Sequence, residues 1–122
     1  MYKHLCVRVG EGGTRYKVID LNDVYMIKKV NATDKRILHF HTTDGEYATI
    51  TDADIMLDAI RASYDNDDFV LSEKGILVNS RYIEGFDSKD RIIYFGNGER
   101  TTASLSKKKN IENKLDELRR GT

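Results

Sequence analysis

The chain has 122 residues, 20 Lys+Arg against 20 Asp+Glu, an apolar fraction of 39% and one cysteine. That length fits a single small domain, here expected over residues 1–122, and Cys6 alone excludes an internal disulfide framework and agrees with a reducing, cytoplasmic location. No stretch approaches the ~20 apolar residues that span a bilayer, and the start does not read as a signal peptide, so no membrane partner is expected.

Zero net charge hides a dipolar chain. Residues 1–43 carry eight basic and four acidic groups, 44–68 one basic and eight acidic, 69–98 four of each, and 99–122 seven basic and four acidic. Placement, not the total, therefore bears on the partner.

With no proline, turns fall to Gly, Asn and Asp. Gly10-Glu11-Gly12-Gly13 separates alternating runs at 5–9 and 16–19; strands follow at 24–30 and 37–42, with a turn over 31–35 between them. Asp44-Gly45 signals a two-residue hairpin before a strand at 46–50. The period then changes: Ala53, Met56, Leu57, Ile60 and Tyr64 form one stripe of an amphipathic helix, entered at Thr51 and left through Asp65-Asn66-Asp67-Asp68. Branched and aromatic residues mark strands at 69–71, 76–78, 82–86 and 91–95, and Gly96-Asn97-Gly98 turns into another at 100–103. A last helix starts near Ser104 or Ser106, carries Ile111, Leu115 and Leu118 on one face and ends at Gly121.

A Walker A loop, a G-x-S-x-G elbow and an H-E-x-x-H pair are all missing, so neither catalysis nor a cofactor is expected. The 10–13 glycines precede no helix and read as a hairpin turn; residues 65–68 lack the glycine and closing glutamate of a calcium loop. His4/Cys6 and His39/His41 are i, i+2 pairs, and only adjacent strands would bring four zinc-type ligands together; ordinary strand residues are the simpler account, and no metal is expected. Lys107-Lys108-Lys109 is the most telling run. Three lysines in a first helical turn oppose the dipole by ~0.3–1 kcal/mol each, yet lysines at a helix N-terminus suit phosphate oxygens; composition alone supports a solvated charge run equally well. Further cations, Lys35, Arg36, Lys74, Lys89 and Arg91, fall in or beside expected loops, as a surface gripping a nucleic-acid backbone requires.

Phe69-Val70-Leu71-Ser72-Glu73-Lys74-Gly75-Ile76-Leu77-Val78-Asn79, then Ile83, then the Asn97-Gly98 hairpin and Ser104 before a basic helix, resembles the LytTR family pattern F-x-R-x-H-x-S-x-x-V-N, isoleucine, N-G hairpin, serine and basic helix. Residues 19–28 are similar to the family's entry strand and 51–64 to its central helix, so the resemblance covers about 15–120. It implies a mainly β, elongated fold of small antiparallel sheets with one internal and one C-terminal helix; a receiver domain is not expected, because 122 residues leave no room for one beside it. It also implies a sequence-specific transcription regulator whose loops read successive major grooves of double-stranded DNA, at direct repeats, with a homodimer on DNA or a regulatory protein as further partners. Carried over, the first reading loop holds Asn31, Lys35 and Arg36; the second Lys74 and Gly75; Lys89 and Arg91 match backbone-gripping positions; Ser106, Lys107 and Lys109 form the third. The pattern's arginine and histidine are Leu71 and Glu73 here, and a common last-loop arginine is Ser106. Those departures bear on affinity and site preference rather than fold. Together with the acidic block at 44–68 they motivate a second expectation, a protein-interaction module or antagonist on the same scaffold.

Overall fold

Alternating apolar residues become strands that bury one side of the pleat. The computed structural model describes residues 4–9, 16–32, 35–49 and 69–120; the 10–13 turn, the 51–64 helix and its exit at 65–68 lie outside them. Two units divide the chain, residues 1–67 and 68–122.

The first unit contributes β1 (His4–Val9), β2 (Tyr16–Asp20), β3 (Val24–Ala32), β4 (Lys35–Thr42) and β5 (Gly45–Ala48), ordered β2-β1-β5-β4-β3 with every neighbour antiparallel. Val7, Ile19, Ile27, Leu38 and Phe40 are buried on one face, while His39 and His41, between and after the last two, stay half-buried on the other. A short 3-10 turn, Leu21–Asp23, links β2 to β3 and is capped by Asp20, whose carboxylate accepts from the Asn22 N–H at 2.8 Å.

Two boundaries differ from expectation. Thr42 pairs with Gly45, so the β4–β5 loop residues are Thr43 and Asp44 rather than Asp44 and Gly45. The Thr43 N–H donates to the Asp23 carbonyl at 3.2 Å and the Asp44 N–H to the Thr42 hydroxyl at 3.3 Å, which fixes the tip one residue earlier. The β3–β4 ladder runs out to Asn31↔Arg36 and Ala32↔Lys35. Asn31, Lys35 and Arg36 are thus strand residues at the end of a hairpin, because pairing satisfies backbone groups that a longer loop would leave to water.

The second unit holds β6 (Phe69–Glu73), paired with β7 (Ile76–Asn79), and a three-stranded sheet, β10-β9-β8, from β8 (Ile83–Asp87), β9 (Ile92–Phe95) and β10 (Arg100–Thr102). A second 3-10 turn, Ser80–Tyr82, is capped by Asn79, whose side-chain oxygen accepts from the Arg81 N–H at 3.1 Å; Tyr82, expected to open a strand, closes this turn. The terminal helix, α1 (Lys108–Arg120), buries Ile111 completely and half-buries Leu115 and Leu118, packing on β6 and the Ser80–Tyr82 turn. The mainly β fold with small antiparallel sheets and a C-terminal helix is the one expected.

Candidate nucleic-acid interface

The start of α1 is set by hydrogen bonds upstream of its first helical residue. The Ser104 carbonyl accepts from the N–H groups of Lys107 at 3.0 Å and Lys108 at 3.1 Å. Ser106 and Lys107 therefore occupy the turn leading into the helix, and Lys108 and Lys109 its first turn, where no acid is present. The positive end of the dipole meets lysine charge there, an arrangement that favours an anion. The Ser104 and Ser106 hydroxyls lie 3.1 Å apart.

Backbone pins hold this turn. The Ser104 N–H donates to the Ser72 carbonyl at 2.8 Å, and the Thr102 hydroxyl donates to Glu73 Oε2 at 2.9 Å. Glu73, which stands where the family pattern has histidine, thereby ties β6 to β10. On the other side the Ala103 N–H donates to the Arg91 carbonyl at 2.9 Å, and Arg91 Nε donates back to the Ala103 carbonyl at 3.1 Å. Arg91 sits at φ 56° and is half-buried, so part of its guanidinium holds the scaffold. Sequence reasoning gave Arg91 only a phosphate role; its 12-residue separation from Ala103 left no local signal.

Lys74 and Gly75 form the two-residue turn between β6 and β7, one step beyond Glu73. Gly75 takes φ 83°, in the left-handed region where a side chain is strained. Register slips between Leu71 and Glu73, leaving Ser72 as a bulge that re-aims the strand end. Lys89 is exposed in the turn after β8, which is shaped by Asp87: its carboxylate accepts from the N–H groups of Lys89 at 3.0 Å and Asp90 at 3.1 Å. The Ser88 hydroxyl donates to Glu112 Oε2 at 3.0 Å, fastening that turn to α1. Lys74, Lys89, Arg91 and the 104–109 segment are thus joined through one short set of contacts. None of Lys74, Lys89, Lys107, Lys108 and Lys109 forms an ion pair with another described residue.

The first unit differs. Lys17 Nζ lies 2.8 Å from Asp44 Oδ2 and 3.0 Å from the Tyr47 hydroxyl, and over the Tyr47 ring at 5.0 Å. The hydrogen bond from Lys17 holds the Asp44 carboxyl down at about 2, and the same contact raises the Lys17 ammonium well above its usual range. His39 Nδ1 is 2.6 Å from Glu46 Oε1, which lowers the Glu46 carboxyl. β5 lies between β1 and β4, so the strands that carry His4/Cys6 and His39/His41 are roughly 10 Å apart, and the register, with Arg8 and His39 both opposite Ala48, offsets the two pairs further along them. Among the described residues no group of three or more His, Cys, Asp or Glu is arranged to hold a metal, and no helix is long and apolar enough to cross a membrane.

Comparison with known proteins agrees with this architecture. The model of the LytTr DNA-binding domain family matches residues 14–116. A solved LytTr DNA-binding domain from Bacillus cereus superposes with a TM-score of 0.68 at 17% identity, over 94% of this chain and 97% of that one. No curated protein sequence matches the chain. With the family model spanning most of its length, the chain belongs to the LytTR family of DNA-binding domains.

Proposed function

We propose that this chain is a sequence-specific transcription regulator acting in the cytoplasm, with no catalytic step, that grips double-stranded DNA and reads major-groove edges at repeated half-sites. The observation that carries it is the start of α1: three lysines without ion pairs among the described residues, an acid-free first turn and a pinned Ser104–Lys107 segment. In this reading Lys107, Lys109, Lys89 and the free nitrogens of Arg91 hold phosphates, Lys74 and Ser106 meet base edges from fixed turns, and Gly75 lets the backbone approach. Asn31, Lys35 and Arg36 form a separate contact at the end of the β3–β4 hairpin.

Selection of bound fragments from sheared host DNA at ~50 and ~200 mM salt tests it. A discrete motif that survives the higher salt, with half-sites about one helical turn apart, is the expected result. Binding that vanishes at higher salt without a motif overturns it. Lys74→Ala is expected to weaken matched DNA by ~1–3 kcal/mol more than scrambled DNA, whereas Lys109→Ala weakens both alike. One feature favours a second reading, a protein-interaction module: residues 44–68 carry eight acids and one base, a charge block suited to a basic partner. Stable association with a protein and no motif on DNA would select it.

A further inference from the structure

Leu105 is 73% exposed, more than the other exposed large hydrophobic residues among those described, Tyr16, Val18 and Tyr94. A lone surface leucine is ordinary, but this one has an unusual setting. It stands between Ser104 and Ser106 at the head of the lysine turn, on backbone fastened by the Ser104 N–H to Ser72 and by the Ser104 carbonyl to Lys107 and Lys108. Ala103, two residues earlier, is buried, and the apolar face of α1 is formed by Ile111, Leu115 and Leu118. Leu105, six residues before Ile111, falls roughly 120° away from that face on a continuous helix, so it contributes nothing to the packing of α1. The hydrogen-bonded turn thus leaves an apolar group exposed among serines and lysines.

We infer that Leu105 is a specificity-determining residue that contacts the C5-methyl group of thymine in the major groove. This rests on the DNA-reading role of the α1 turn. The chemistry follows from the groove itself: thymine alone among the four bases presents a methyl there, and an apolar side chain is its natural contact. Lysines on the same turn supply attraction to any sequence, while Leu105 adds preference at one base pair.

The test uses the full chain and the DNA site recovered by selection, resynthesised with deoxyuridine in place of each thymine in turn. Deoxyuridine keeps every hydrogen bond and removes only the methyl. One position is expected to weaken the wild-type protein about fourfold, the ratio that burying one methyl-sized group corresponds to. Leu105→Ala should bind the thymine site more weakly and no longer distinguish the two bases, and Leu105→Met should restore the distinction. Thermal unfolding of Leu105→Ala is expected to match wild type, since the side chain is exposed. If every thymine can be replaced without effect, or if Leu105→Ala discriminates as wild type does, the inference is overturned while DNA reading stands. If selection yields no motif, the DNA-reading role falls and the inference with it.

Discussion

The two units use the same local devices and differ in where their charges end. Each has a strand running into an Asx-capped 3-10 turn and out into another strand, through Asp20 in the first unit and Asn79 in the second. In the first unit Lys17 meets Asp44 and Tyr47, and His39 Nδ1 meets the Glu46 carboxylate. In the second unit polar contacts are made by Glu73, Ser88, Glu112 and Arg91, and they fasten backbone and turns. The lysines beside those fastenings form no ion pair among the described residues. Cations without ion pairs among the described residues, carried on hydrogen-bonded turns, are what an anionic ligand would require, and the second unit has both.

The largest expected effect lies in the packing that holds α1. Ile111→Ala removes a completely buried side chain and should cost about 2–5 kcal/mol in urea unfolding, with DNA binding lost in proportion. A loss of DNA binding without loss of stability would break the distinction between scaffold and contact drawn for this helix. Next is the charge contrast itself. The double variant Lys107→Ala/Lys109→Ala should flatten the dependence of log affinity on log salt by about two phosphate contacts, whereas Lys17→Ala, in the first unit, should leave the slope unchanged. Equal slopes in all three proteins would erase the contrast. Smaller again, Gly75→Ala should cost about 1 kcal/mol of stability, because φ 83° is strained for any side chain. Gly98→Ala, at φ 87° in an exposed turn with open space around it, should cost a similar amount and spare DNA binding.

The least effect is the acid response of the first unit. The Asp44 carboxyl is depressed from 3.8 to about 2 by the Lys17 contact, so the folded form binds protons less readily than the unfolded chain. Stability from this pair is present above about pH 4 and lost as pH falls through about 2. It is small because both groups face solvent. Carboxyl titration by NMR should show Asp44 moving back toward its ordinary value in Lys17→Ala.

Strand positions were legible because side-chain period is local. Leu38-His39-Phe40-His41 announces its buried and open faces without reference to any other segment, and Ile111, Leu115 and Leu118 do the same at helical spacing. Turn chemistry was legible to within a residue: Gly45 was expected inside its turn and lies just after it. The candidate interface was legible as residue types, lysines before an apolar helix face, but not as an assembly. Glu73 and Thr102 are 29 residues apart and Arg91 and Ala103 are 12 apart; nothing in either neighbourhood points to the other.

By itself the sequence determined the alternation of strands, the terminal helix, the glycine-bearing turns and the cationic run at 107–109, all of which depend on a residue and its near neighbours. Only the tertiary structure decided which polar groups are occupied. Glu73 is taken by Thr102, Arg91 partly by Ala103 and Lys17 by Asp44, while Leu105 is held outside the apolar core. Those outcomes depend on contacts between segments far apart in the chain, and a hydrogen bond or a buried surface exists only once folding has brought its two halves together.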